Sequence, residues 1–108
     1  MSIELSTIIQ KYIEASNRHD LQGVLSCFSD DAVVHDENET LRGKKAIEAW
    51  VARTIAKYQF QFKPLSVKGG APELVVTIKV FGTFPGSPVT LDYRFKIGND
   101  GIDVLAID

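Results

Sequence analysis

RHDLQGVLSCFSDDAVVHDENETLRGKKAIEAW, residues 18–50, is the stretch that decides the fold. It reads as a short helix, a turn, a strand ending in His35-Asp36, an acidic loop, and Arg42-Gly43 opening a long amphipathic helix. Asp20 is placed to cap the short helix, which carries Leu21, Val24, Leu25 and Phe28 inward. Ala32-Val33-Val34-His35 is a short strand, marked by its β-branched pair and the Asp-rich turn before it. After Gly43, the residues Ile47, Trp50, Val51, Ile55 and Tyr58 mark one buried helical face. This order sets one carboxylate, Asp36, where a strand ends at the loop Asp36-Glu37-Asn38-Glu39. Loops held by a rigid scaffold are where sites tend to sit.

Upstream, Leu5, Ile8, Ile9, Tyr12 and Ile13 follow the rhythm of one buried helical face. Ser2 is its candidate cap, with Glu4 in the first turn where the helix dipole favours an anion. Asn17-Arg18-His19 breaks the pattern. Downstream, the period changes to two. Phe60 and Phe62 alternate with polar neighbours before Pro64, and Gly69-Gly70 turns the chain. Leu74, Val76, Ile78 and Val80 then alternate with Val75, Thr77 and Lys79. Leu91, Tyr93, Phe95 and Ile97 alternate with Thr90, Asp92, Arg94 and Lys96. Asn99-Asp100-Gly101 is a strong hairpin signal before a last strand, Ile102 to Ile107.

Helices first and a meander of strands after is an α+β plan: a curved antiparallel sheet with the helices on its concave side. The alternation predicts one sheet face on the helices and one polar face. A sheet curled around a long helix leaves a tapering space, which is either a pocket or a core.

The length of 108 residues fits one domain over 1–108 with a single core. An apolar share of 44% and a charged share of 24% are ordinary for a soluble globular chain. Twelve basic and fourteen acidic residues give a net charge of −2. No basic cluster exceeds Lys44-Lys45, which argues against nucleic acid. The start, MSIELSTIIQKYIEA, has neither a basic leader nor a continuous apolar run, so neither signal peptide nor membrane span is expected. One cysteine, Cys27, leaves no internal disulfide and fits a reducing cytoplasm. Among Val24, Leu25 and Phe28 it reads as a buried structural thiol.

The helix–strand order, HDLQGVLSCFSDDAVVHD and LRGKKAIEAW together resemble the cone-shaped, cystatin-like superfamily of nuclear transport factor 2, ketosteroid isomerase and the SnoaL-like polyketide cyclases. The likeness covers nearly the whole chain. It implies chemistry inside the cone, on a small apolar or partly polar ligand, with no cofactor, and a homodimer joined through sheet faces. In ketosteroid isomerases a first-helix tyrosine donates to the developing enolate. A strand-end aspartate shuttles the proton, and a protonated aspartate on a late strand joins the tyrosine. The resemblance sets Tyr12, in QKYIEAS, at the first position and Asp36, in VVHDEN, at the second. At the third stands Tyr93, while Asp92 lies one residue away and, by strand parity, on the solvent face beside Lys79 or Arg94. The Arg-x-Asp of limonene epoxide hydrolases is absent from the strand ELVVTIKVFG. The paired histidines of scytalone dehydratases are not evident, since only His19 and His35 exist.

The resemblance thus implies Asp36 as general base and Tyr12 and Tyr93 as donors, in an isomerase, cyclase or dehydratase. An aspartate between apolar walls has its charged form desolvated, which moves it toward a range useful for proton transfer. Trp50, Phe28, Phe95 and Val34 are the expected ligand-binding residues. Tyrosine on an apolar helix face also serves as plain core, and a non-catalytic ligand- or partner-binding dimerisation module is the alternative. His35, of opposite parity to Asp36, points away from it; with His19 on a loop, no metal site is expected. In FGTFPGSPV, residues 81–89, Pro85-Gly86 suits a type II turn. Phe84 at its tip either caps a pocket mouth or packs on another subunit.

Overall fold

The computed structural model describes residues 6–36, 38–70 and 72–108. The expected Ser2 cap, Glu4 and Leu5 lie outside the described residues, as does Glu37 of the acidic loop. Three helices come first in the chain: α1 (Thr7–Asn17), α2 (Leu21–Ser26) and, after the hairpin of β1 (Phe28–Asp36) and β2 (Glu39–Arg42), α3 (Gly43–Tyr58). Then follow β3 (Gln61–Gly70), β4 (Glu73–Phe81), β5 (Val89–Ile97) and β6 (Ile102–Ile107). The six strands form one open sheet in the order β2-β1-β6-β5-β4-β3. The α+β architecture is the expected one.

One pairing differs from a purely antiparallel sheet. β1 lies parallel to β6, with Val33 opposite Val104 and Val34 opposite Leu105. The other strand pairs are antiparallel. The chain leaves β1 through a helix before it builds the meander, so the last strand returns beside the first in the same direction. Alternation along a strand is identical in either case, so it carries no signal of direction.

The start of α2 follows its local chemistry. Asp20 caps α2, its Oδ1 accepting from Gly23 N at 3.0 Å. That helix ends before Phe28, which was expected on it. Cys27 O accepts from Ile102 N at 2.8 Å, and this bond draws the chain into the sheet with Phe28 opposite Ile102. Gly101 stands beside this junction at φ 140°, where a Cβ would lie 2.6 Å from Cys27 O. The acidic loop is a tight hairpin, with Asp36 opposite Glu39 and Asn38 at φ 68°. Asn tolerates that left-handed conformation better than most residues.

β3 runs through Pro64 instead of ending there, with a register shift between Pro64 and Ser66. It is an edge strand, the place where a missing N–H is tolerated. Along β4, Leu74, Val76, Ile78 and Val80 are buried. On β5, Tyr93 and Phe95 are buried while Arg94 is exposed, as the alternation predicts. Arg94 pairs with Asp108 at 2.8 Å, and Asp92 accepts from Thr77 Oγ1 at 2.8 Å. The inner sheet face and α1, α2 and α3 enclose the apolar core. Among the described residues, no helix is long and apolar enough to cross a membrane.

Candidate active site

Four elements bring polar side chains to one cavity of about 470 Å³ between α1, α3 and the sheet. α1 supplies Tyr12 and, one turn on, Ser16; β1 supplies Asp36; α3 supplies Trp50, Thr54 and Tyr58; β5 supplies Tyr93. Each placement follows from a period. Asp36 shares strand parity with the buried Val34, so it points inward where β1 ends. Trp50, Thr54 and Tyr58 stand four residues apart, on one face of α3. Phe60 and Phe62 close another wall, stacked with centroids 4.7 Å apart.

That wall is pinned to the end of α1. Asn17 Oδ1 accepts from Phe62 N at 2.6 Å, and its Nδ2 donates to Phe62 O at 3.1 Å. A ring nitrogen of His19 meets Phe60 O at 2.7 Å, and the ring sits edge-on to Phe60. His35 is exposed, with Nδ1 3.3 Å from Thr40 Oγ1, and points away from Asp36 as parity predicts. Among the described residues no group of three or more His, Cys, Asp or Glu is placed to hold a metal ion. Cys27 is buried; burial pushes its thiol up, and Sγ lies 3.4 Å from Gly23 O.

The carboxylate is oriented by the indole. Trp50 Nε1 donates to Asp36 Oδ2 at 3.0 Å. Trp50 and Tyr93 are each 5% exposed and Tyr12 2%, so polar groups here interact with little competition from water. Burial raises the Tyr12 phenol well above its usual range, with the charges of Tyr93 and Asp36 adding to the effect. Burial likewise raises Tyr93, and the Asp36 carboxylate adds to it. Both phenols therefore stay protonated, as hydrogen-bond donors, throughout the physiological range. One oriented carboxylate and two neutral phenols face a mostly apolar space.

The expected ligand-binding set divides. Trp50 lines the cavity, but Phe28, Phe95 and Val34 do not. They are buried one layer deeper, at 1%, 2% and 0% exposure. Phe28 and Phe95 support Tyr12 edge-on at 5.9 Å and 5.6 Å. A helical or strand period marks a residue as inward without saying how deep it sits, which is why these three read as lining. Ser16, Thr54, Lys57, Tyr58, Phe60 and Phe62 were missed as lining residues. Helical spacing from Tyr12 and Trp50 carried the signal for Ser16, Thr54, Lys57 and Tyr58; Phe60 and Phe62 had only their alternation. Phe84 lines the cavity and packs edge-on against Tyr58 at 5.6 Å. Gly86 at φ 87° and the bond from Ser87 N to Phe84 O, 3.2 Å, fit the turn read at Pro85-Gly86.

The sequence profile of the SnoaL-like domain matches residues 9–107. The chain belongs to the SnoaL-like family. A candidate polyketide cyclase from Sinorhizobium meliloti is 35% identical, with a TM-score of 0.92 over 96% of this chain and 95% of that one. A second candidate polyketide cyclase, from Xanthomonas campestris pv. campestris, is 18% identical, with a TM-score of 0.82 over 93% and 85%. A protein of ketosteroid isomerase-like fold from Catenulispora acidiphila, in complex with trimethylamine, is 15% identical. Its TM-score is 0.84 over 97% of this chain and 86% of that chain. The last two share the fold with this SnoaL-like chain. Comparison with curated proteins gives no match.

Proposed function

We propose that this SnoaL-like domain is an acid–base enzyme acting on an enolisable ketone, of the isomerase or cyclase type. One observation carries the reading: the Asp36 carboxylate, held by Trp50, lines the same apolar cavity as the neutral phenols of Tyr12 and Tyr93. Asp36 takes the proton from carbon next to the carbonyl; the C–H electron pair forms the C=C bond of the enolate, and the C=O π pair moves onto the oxygen. Tyr12 and Tyr93 donate hydrogen bonds to the oxyanion as it forms. For an isomerisation, Asp36 returns the proton to a different carbon. For a ring closure, the enolate carbon attacks a second carbonyl of the same substrate, and the proton on Asp36 passes to the new alkoxide. The name of the Sinorhizobium relative supports the cyclase branch.

The rival reading is a non-catalytic ligand- or partner-binding module, in the partner-binding case with an interior filled by Tyr12, Trp50 and Phe95. An open space of about 470 Å³ favours the enzyme, because that is the size of a small-molecule site. The assembly we infer is a homodimer through the outer sheet face, which carries Thr77, Lys79, Asp92, Arg94 and Lys96.

The test uses 2-tetralone, an enolisable bicyclic ketone, in deuterium oxide. Trp50, the chain's one tryptophan, reports occupancy of the cavity by its fluorescence. Nuclear magnetic resonance follows exchange of the protons next to the carbonyl. The protein should speed exchange about 10²- to 10⁴-fold, the usual range for a positioned general base. Asp36→Asn should return it to the buffer rate. Saturable quenching of Trp50 with exchange stuck at the buffer rate would favour the binding module.

A further inference from the structure

Beside the main cavity lies a second, smaller one of about 130 Å³, and its chemistry is different. Its walls are polar: Glu39 and Arg53 border it, together with Asp36, Trp50, Thr54, Lys57 and Tyr58. The last five also line the main cavity, so the two spaces adjoin along one face of α3. Of the charged groups here, Arg53 is already neutralised, with Nη2 at 2.9 and 3.1 Å from the two carboxylate oxygens of Glu39. Lys57 is not. Among the described residues it makes no ion pair; its ammonium lies 5.1 Å from the centre of the Tyr58 ring. Lys57 and Asp36 are the two charged side chains among the described residues lining the main cavity.

The geometry points to an anion subsite at Lys57, and hence to a substrate that carries a carboxylate at the end of an apolar body. The two charges divide the ligand between them. Asp36 repels an anion and needs the reacting carbon beside it, so the ketone end belongs near Tyr12 and Tyr93. Lys57 attracts the anion where the cavity meets solvent, since its side chain is exposed. Trp50, which holds Asp36, and Lys57 are seven residues apart on α3, on the order of 10 Å along the helix axis. That rise separates the two helix positions, and the main cavity of about 470 Å³ beside them has room for an apolar body of two fused six-membered rings. A lysine in the last turn of a helix also suits the dipole. The dipole, though, does not require its side chain to line both cavities. The subsite rests on the reading of the main cavity as a ligand site, and not on Asp36 being catalytic.

Calorimetric binding of naphthalene-2-carboxylate and of its neutral isostere naphthalene-2-carboxamide decides the matter. The native protein should prefer the carboxylate about two- to fivefold at low salt, as one partly exposed charge pair allows. Added salt should shrink the preference. Lys57→Gln should bring the two affinities to parity by weakening the carboxylate alone, Lys57→Arg should restore the preference, and Lys96→Gln should leave it untouched. Equal binding by the native protein, a preference for the amide, or no binding of either compound overturns the subsite. So does a preference that survives in Lys57→Gln. Asp36→Asn separates the two proposals: it should abolish ketone exchange while keeping the preference for the carboxylate.

Discussion

The indole N–H of Trp50, on the second turn of α3, donates to Oδ2 of Asp36 across 3.0 Å. A strand-end carboxylate next to a hairpin has rotational freedom, which this bond restricts. Trp50→Phe removes the donor and keeps much of the apolar bulk. The rate of ketone exchange should fall about tenfold, the effect of losing about 1.4 kcal/mol of transition-state stabilisation. A loss that lies wholly in weaker ketone binding, with the rate at saturation unchanged, would mean that Trp50 acts on ligand packing instead.

The two buried phenols predict how stability responds to alkali. Burial raises both Tyr12 and Tyr93, so the folded chain keeps two protons that the unfolded chain loses near pH 10. Their contribution is complete below that pH and is lost as pH rises beyond it. Each contributes a slope of up to about 1.4 kcal/mol per pH unit. Urea unfolding between pH 9 and 11.5 should show the decline begin near pH 10. Tyr93→Phe should make it shallower. An equal slope in the variant would mean that Tyr93 ionises as freely in the folded protein as in the unfolded chain.

Phe95 is core, and Tyr93 two residues away is cavity wall; the two substitutions should behave differently. Phe95→Ala leaves a void beneath Tyr12 and should lower stability by about 3–5 kcal/mol. Tyr93→Phe keeps the ring and should cost less than about 1.5 kcal/mol. Its exchange rate should nevertheless fall about 10²- to 10³-fold, as for loss of one oxyanion donor. Thermal melts paired with exchange rates read both. Comparable melting losses in the two variants would place Phe95 and Tyr93 in the same layer.

Periodicity explains what was legible. Tyr12 rests on a helical repeat of apolar residues, and Asp36 follows from its parity with Val34; neither needs knowledge of distant chain. The direction of β6 beside β1 does, because Phe28 and Ile102 come together only after the whole meander has formed. The end of α2 fails for the same reason. Phe28 continues the helical pattern of Leu21, Val24 and Leu25, and only the bond from Ile102 N to Cys27 O takes it into a strand. Depth is a third blind spot. Phe95 and Tyr93 have the same parity and similar burial, yet the curl of the sheet turns one into the core and the other to the cavity. The indole–carboxylate bond was missed although a buried Trp N–H usually has a partner, and Asp36 stood at the nearest strand end.

The outer sheet face yields the last prediction. Arg94 is exposed there and bound to Asp108, while Asp92 is taken up by Thr77. Lys79 reaches over the Phe81 ring, which is 38% exposed. In a two-fold dimer the same patch meets itself, so Arg94 of one chain approaches the patch of the other, with Asp92 and Asp108 as partners. Arg94→Glu would set three carboxylates against their copies and should dissociate the pair. Light scattering at micromolar concentration should give a dimer mass for the native chain in low salt. It should give a monomer mass for Arg94→Glu, with the melting temperature of the isolated fold little changed. Salt should weaken the native dimer, because exposed charges are screened beyond about 10 Å at 0.1 M. A native monomer at low salt would remove the dimer, and a dimer indifferent to both salt and Arg94→Glu would move its interface to another face.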